Sequence, residues 1–276
     1  MTVREGFRLA QQQMSAAEAR YLLKELFGWG LSELTERRRE PLTAEQEQHL
    51  RQVLTQLKQG QPLQYLLGHC PFMDRDYFVG EGVLIPRDDT EVAVRQGLSF
   101  LRHVKAPNVI DLCAGSGIIA LTIAGECPDA RVTAVEKEPA ALDYLRRNVQ
   151  RHGANRVEVV AGDIFVYHEQ VPDDSVDLLV SNPPYIRTDE LPHLQKEVQH
   201  EPVTALDGGA DGLRFYHCIA AHWLSKLKIG GGVVLETGEE QGQAIEEMLS
   251  QYNITDIKIL QDIQGLDRVI FGTKKA

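Results

Sequence analysis

The chain has no paired cysteines to speak of: Cys70, Cys113, Cys127 and Cys218 stand apart, with no C-x-x-C spacing and no matching histidine pair. That excludes a zinc ribbon and a disulfide scaffold, and reduced, mostly buried thiols are expected. His217 and His222 lie five apart, too far round a helix for an i, i+4 metal pair, so they read as structural and no metal is expected. Positive charge is also short. Lys and Arg number 29 against 40 Asp and Glu, a net charge of −11. Duplex binders gain affinity by neutralising phosphates, so this balance argues against direct duplex nucleic acid and suits a small molecule or a basic protein surface. No apolar run approaches the roughly 18 residues of a membrane span. The opening MTVREGFRLAQQQM lacks the apolar centre of a secretory leader, and Glu5 argues against a transit peptide. A cytoplasmic protein without a membrane partner is expected. Internal repeats and low-complexity tracts are missing too.

What is present is an ordinary globular composition, 43% hydrophobic and 25% charged, in 276 residues, enough for two domains. Ser15-Ala-Ala-Glu18 is a capping box ahead of Ala19, Leu22, Leu23 and Leu26 on one helical face. Thr43-Ala-Glu-Gln46 repeats the device before Leu50, Val53, Leu54 and Leu57, with Gly60 and Pro62 as stop signals. A small all-helical domain is predicted over 1–72. FMDRDYFVGEGVLIPR then predicts a β-hairpin connector at about 73–86, turning around Gly80-Glu81-Gly82.

From about Thr90 strands and helices alternate. Strands are predicted at Asn108 to Cys113, Arg131 to Glu136, Arg156 to Val160, Val176 to Ser181 and Gly232 to Thr237. Helices are predicted at Ile118 to Glu126, Pro139 to His152 and in an insertion from Glu190 to Leu227. ITDIKILQDIQGLDRVIFGT adds two strands joined near Gly265. The predicted class is α/β: a doubly wound, mostly parallel sheet of seven strands with an antiparallel C-terminal pair, in a second domain spanning 73–276.

The strand ends carry the chemistry. Asp111-Leu-Cys113-Ala114-Gly115-Ser116-Gly117 runs straight into a helix, a junction where glycines let the backbone approach a ligand. Gly115-Ser-Gly117-Ile-Ile-Ala120 also satisfies a dinucleotide fingerprint, so a nicotinamide cofactor has to be weighed. Glu136 at the second strand end suits ribose hydroxyls of either kind of ligand. Asp163 and Ile164, at the third, suit an adenine amine and ring face. Asn182-Pro183-Pro184-Tyr185 follows the fourth, and no basic residue is placed for a pyrophosphate. The set outlines one nucleoside with its reactive group near the fourth strand.

These motifs resemble those of class I S-adenosylmethionine-dependent methyltransferases, and N-P-P-Y resembles the subgroup that methylates planar, conjugated nitrogens. GVLIPRDDTE, EPVTALDGGADGL and GLDRVIFG, with the helical domain and hairpin, are similar to the HemK-type (PrmC) release factor glutamine methyltransferases over nearly the whole chain. The chain departs from that family at Asp88-Asp89-Thr90-Glu91, where Pro-Glu-Thr-Glu is usual, and at Glu236-Thr237-Gly238, where E-I-G is common. The resemblance implies methyl transfer from S-adenosylmethionine to the glutamine of the Gly-Gly-Gln loop in peptide chain release factors, by a monomer without metal. It implies cofactor binding by Asp111, Cys113, Ala114, Gly115, Ser116, Gly117, Glu136, Asp163, Ile164 and Asn182. Alternatives are a glutamine methyltransferase of a large-subunit ribosomal protein, a nucleic-acid amino-group methyltransferase, and an idle cofactor-binding module serving assembly.

An amide nitrogen is a poor nucleophile because its lone pair is delocalised. Accepting hydrogen bonds from both of its N–H groups helps to turn that lone pair out of the plane. Asn182 can offer its side-chain oxygen and Pro183 its carbonyl, held in place by the stiffness of Pro183-Pro184, while Tyr185 supplies an aromatic wall. These four residues are the expected catalytic and substrate-binding set. The helical domain carries no cofactor motif and is expected to recognise the protein substrate. Arg87, Glu91 and Asp207-Gly208-Gly209 either position a substrate peptide or stabilise loops; Phe165 and Tyr167 read as packing; Arg37, Arg38 and Arg39 read as a solvated face.

Overall fold

The computed structural model describes residues 1–276, which divide into two compact units, Met1–Gly68 with Gln195–His200, and His69–Leu194 with Glu201–Ala276. No helix is long and apolar enough to cross a membrane.

In the first unit, helices α1 (Val3–Ala10), α2 (Ala16–Phe27), α3 (Leu31–Glu36), α4 (Ala44–Lys58) and α5 (Leu63–Leu67) surround Leu22, Leu23, Leu50, Val53 and Leu54. Each fully buried leucine contributes about 1.5 to 3 kcal/mol relative to exposure. Both expected capping boxes form: Glu18 N–H donates to Ser15 Oγ at 3.2 Å and Ser15 N–H to Glu18 Oε2 at 2.7 Å, and Thr43 with Gln46 does the same. A third, Thr2 with Glu5, starts α1.

The second unit opens with the hairpin β1 (His69–Phe72) and β2 (Arg75–Phe78). Its turn is Met73-Asp74, both at positive φ, rather than the expected Gly80-Glu81-Gly82. A two-residue turn with positive φ matches the twist of paired strands. Gly80 has another task, since a Cβ there would lie 2.1 Å from the Tyr144 hydroxyl. The hairpin thus begins four residues before 73, and residues 79–89 are irregular chain.

Then follow α6 (Thr90–Leu101), β3 (Asn108–Leu112), α7 (Ile118–Glu126), β4 (Arg131–Glu136), α8 (Pro139–Arg151), β5 (Val157–Ala161), α9 (Ile164–Tyr167), β6 (Val176–Ser181), β7 (Ile186–Arg187), β8 (Asp207–Gly209), α10 (Arg214–Cys218), β9 (Leu227–Glu236), α11 (Gly242–Ser250), β10 (Ile254–Gln261) and β11 (Asp267–Lys274). The central sheet has the order β10-β11-β9-β6-β3-β4-β5, with only β11 antiparallel to both neighbours. Its strands are apolar on both faces because both are covered. Leu121, Ile123 and Leu145 pack on one side, and Tyr216, Trp223 and Ile245 on the other.

The region 190–227 is not the helical insertion expected. Pro192, Pro202 and three glycines from Gly208 to Gly212 break it into single helical turns and the strand β8; a helix persists only from Arg214, widening into a π turn over Ile219–Trp223. Strand β9 starts five residues earlier than predicted, since its Gly230-Gly231-Gly232 run hides it from a propensity argument. Order along the sheet reverses between β3 and β6, which places a crevice at their C-terminal ends.

Candidate active site

At the end of β3, Asp111 is buried; its Oδ2 accepts from Ala120 N–H at 3.0 Å, and its Oδ1 has no partner. Burial pushes this carboxyl up to about 8, with nearby Glu136 adding to the rise and the Ala120 bond opposing it. The loop that follows turns through Cys113, Gly115 and Gly117, all at positive φ. A Cβ on Gly117 would come within 2.3 Å of Leu145, so this position accepts only glycine. Asn148, buried on α8, fixes the loop from behind by donating to Ser116 O at 2.9 Å and Phe78 O at 3.0 Å.

Glu136 ends β4 and accepts three backbone N–H bonds, from Gly115 to Oε2 and from Lys137 and Glu138 to Oε1, each 2.8 Å. A carboxylate offers about four acceptor positions, so one is left for a ligand, on Oε2. Asp163 caps α9 through Phe165 N–H at 3.0 Å and has Lys137 Nζ at 3.4 Å; Ile164 beside it is buried.

These strand ends enclose a cleft of about 880 Å³, its open mouth included. Cys113, Ala114, Gly115, Ser116, Glu136, Asp163, Ile164 and Asn182 all line it. Asp111 and Gly117 do not; they lie behind its wall. Of the opposite wall the sequence singles out only Arg87, and Val83, Leu84 and Pro86 join it from the irregular segment after β2. That segment is held by buried Glu201, which pairs with Arg87 and accepts from Ile85 N–H at 2.9 Å.

The tetrapeptide after β6 is divided. Asn182 and Pro184 face the cleft, whereas Tyr185 lines a neighbouring groove with Arg187, Gly238 and Gln241, and Pro183 is buried between. Asn182 Nδ2 donates to Thr90 Oγ1 at 3.3 Å, which leaves its amide oxygen as the atom available to a ligand. The Tyr185 carbonyl accepts from Gln241 Nε2 at 2.9 Å. A Cβ on Gly208 would stand 2.7 Å from Tyr185 Cα, so Asp207-Gly208-Gly209 braces the tetrapeptide, and β8 pairs with β7 just beyond it. Burial pushes the Tyr185 phenol well up. Two residues of the departing segment also find partners: Asp89 pairs with Arg268 at 3.5 Å, and Glu91 with Arg95 at 2.8 Å on the exposed face of α6. Phe165 and Tyr167 pack against Phe215 and Trp223. Glu236, at the end of β9 next to β6, is buried and was not among the expected site residues; an acid at a fifth strand end was the available signal.

Comparison with known proteins is decisive about kinship. Residues 5–68 match the PrmC N-terminal domain and residues 91–209 the Methyltransferase small domain. The chain is 42% identical to the release factor glutamine methyltransferase of Geobacter sulfurreducens over 84% of this chain and 80% of that one. Against the proteins of the same description from Bordetella pertussis and Moorella thermoacetica it is 37% and 36% identical, over 96% and 100% of this chain and 97% and 99% of theirs. The chain belongs to the release factor glutamine methyltransferase family. A solved structure, protein-(glutamine-N5) methyltransferase (release factor-specific) from Alicyclobacillus acidocaldarius, is 30% identical, covering 72% of this chain and all of that one, with a TM-score of 0.46. In this member of the family the arrangement can hold a nucleoside along β3 to β5 and present a hydrogen-bond acceptor, Asn182, where that cleft meets the end of β6. No group of three His, Cys, Asp or Glu stands together as a metal cluster would.

Proposed function

We propose that this protein methylates the side-chain amide nitrogen, N5, of the glutamine in the Gly-Gly-Gln loop of peptide chain release factors, using S-adenosylmethionine. The observation that carries the reading is Asn182, whose amide nitrogen is engaged by Thr90 where it lines the cleft with Glu136 and Asp163, in a chain whose kinship to this family extends over its full length.

The residues present fit the cofactor. Glu136 keeps one acceptor position for a ribose hydroxyl, fewer than the two expected from its strand-end place, because three N–H groups already use the others. Asp163 and Ile164 fit an adenine amine and ring face, and the open space at Gly115 leaves room for close approach. Asp111 Oδ1, buried without a partner behind the glycine loop, suits a positively charged ligand nearby. When bound, S-adenosylmethionine supplies a methyl group on a sulfonium, electrophilic enough for a weak nucleophile.

The chain's own contribution is positioning. Asn182 Oδ1 accepts one amide N–H of the substrate glutamine and the Pro183 carbonyl the other, so the nitrogen lone pair is favoured out of conjugation. No general base is required before attack, since the proton becomes acidic only as the nitrogen gains charge. Tyr185, braced by Gly208 and Gln241, forms a wall of the groove on the substrate side. The helical unit, free of cofactor motifs, docks the release factor. Deleting residues 1–67 should reduce transfer to an intact release factor while leaving S-adenosylhomocysteine binding in place; equal kcat/KM would refute the docking role.

Mass spectrometry of release factor incubated with enzyme and cofactor tests the reading as a whole. A gain of one CH2 unit on the Gly-Gly-Gln glutamine is expected. Methyl transfer only to a ribosomal protein, or only to RNA, would overturn it.

A further inference from the structure

We propose that the buried Glu236 carboxylate is a positioning residue, acting through the Thr90 hydroxyl to fix which end of the Asn182 amide faces the substrate. Strand register brings the three groups together. Ser181 on β6 pairs with Leu235 on β9 in a parallel ladder, so the next residues, Asn182 and Glu236, follow side by side. Thr90, 1% exposed at the start of α6, stands beside both: it accepts from Asn182 Nδ2 at 3.3 Å, and its hydroxyl stabilises the charged form of Glu236.

A threonine hydroxyl has one proton and two lone pairs. While that proton is given to the Glu236 carboxylate, only lone pairs remain for Asn182, which must then present its NH2 to Thr90 and its oxygen to the cleft. If the proton is instead free to point at Asn182, the amide can invert. An inverted amide puts N–H donors against the substrate's own N–H donors. The Glu236 carboxylate therefore acts on the reacting nitrogen through three successive hydrogen bonds, by way of Thr90 and Asn182.

Glu236 is placed to lose that charge near neutrality. Burial pushes its carboxyl up to about 7, and its Oε2 has no partner. The groups facing it are Thr90 and Asp89 around the start of α6, Arg87 just before them, Arg268 on β11, and the phenols of Tyr185 and Tyr216; Thr90, Arg268 and Arg87 favour the carboxylate and Asp89 opposes it. Below that range Glu236 binds a proton and no longer compels the Thr90 hydroxyl. The inference rests on the release factor reading for its kinetic arm and stands independently of it for its spectroscopic arm.

The kinetic arm measures kcat with both substrates saturating from pH about 5.5 to about 8.5, a range in which kcat reports groups ionising in the bound complex. Wild type should show an acidic limb near neutral pH. Glu236→Gln, which keeps an acceptor that cannot titrate, should lose the limb. Thr90→Val should lower kcat about 10- to 100-fold, short of the full loss of an oriented partner, with KM for the release factor little changed. Thr90→Ser should recover most of that rate. The spectroscopic arm follows the Asn182 side-chain NH2 by nitrogen-15 NMR in the free protein: its signal should titrate near neutral pH in wild type and stay flat in Glu236→Gln. Should Glu236→Gln not fold, the Thr90 pair and the wild-type titration still decide. Wild-type turnover in Thr90→Val, an acidic limb retained in Glu236→Gln, or an Asn182 signal indifferent to pH would each overturn the proposal, whereas unmodified release factor with a titrating signal would overturn only the release factor reading.

Discussion

Glu136 and Glu236 are the same residue type, both end sheet strands and both are buried, yet they are solvated by the protein in opposite ways. Glu136, on β4, receives three backbone N–H bonds of 2.8 Å. Glu236, on β9, has an Oε2 without any partner, and burial raises its carboxyl to about 7. Backbone donors cannot turn away, so the first carboxylate is a fixed part of the glycine-loop architecture. The second is served by a rotatable hydroxyl and can respond to pH. One crevice thus has a rigid side toward β3 to β5 and an adjustable side toward β6 and β9, and this matches what each proposed ligand needs: a nucleoside has to be recognised by shape, whereas an amide nitrogen has to be oriented at the moment of attack.

The largest expected effect comes from breaking the adjustable side. Asn182→Ala removes one of two oriented acceptors, and loss of one preorganised partner typically costs on the order of 100- to 1000-fold in kcat. Single-turnover methylation of a release factor should show a drop of at least about a hundredfold, with S-adenosylhomocysteine affinity within a few-fold of wild type. Near-normal turnover would mean that the tetrapeptide does not act as an acceptor.

Breaking the rigid side should have the complementary signature. Glu136→Ala deletes a charge-assisted bond worth about 1.5 to 3 kcal/mol and also frees three loop N–H groups. Calorimetry should give S-adenosylhomocysteine affinity lowered by at least about tenfold, a difference of 1.4 kcal/mol or more. Unchanged affinity would show that Glu136 only organises the loop, and the contrast between the two glutamates would lose its functional meaning.

What could be foreseen depended on whether the cause was local. The boxes at Ser15 and Thr43 act over three residues, so the starts of α2 and α4 were legible, whereas the grouping of Gln195–His200 with the helical unit was not. The junctions after β3, β4, β5 and β6 carry acids, glycines and prolines where parallel strands end, and the expected cofactor residues indeed line one cleft except for Asp111 and Gly117. The supports were hidden because each depends on a distant partner. Asn148 meets Phe78 across 70 residues of sequence, Glu201 meets Arg87 across 114, and Thr90 meets Asn182 across 92. The misplaced hairpin has the same origin: Gly80 resembles a turn glycine, but its constraint is Tyr144 on α8.

The smallest predicted effect tests whether the buried acid behind the glycine loop, with one oxygen unpartnered, is held at a cost in stability. Asp111 is raised from 3.8 to about 8, chiefly by burial. A carboxyl whose pKa is higher folded than unfolded binds more protons in the folded state between the two values, so its stabilising share is complete below about 3.8 and is lost as pH rises through about 8. Glu236 contributes in the same direction between 4.5 and about 7. Above about 7, therefore, Asp111 is the one of these two buried acids still ionising. The slope per group is at most about 1.4 kcal/mol per pH unit, which for a unit of this size corresponds to roughly 2 to 4 °C in Tm. Asp111→Asn keeps the acceptor for Ala120 N–H and removes the titration. Thermal unfolding should show wild-type Tm falling from pH 7 to pH 8 and the variant staying nearly level over that interval, with the two curves meeting at acid pH. A parallel decline in both proteins would mean that Asp111 keeps its charge with help from donors behind the loop, and that the rigid side of the crevice extends down to β3.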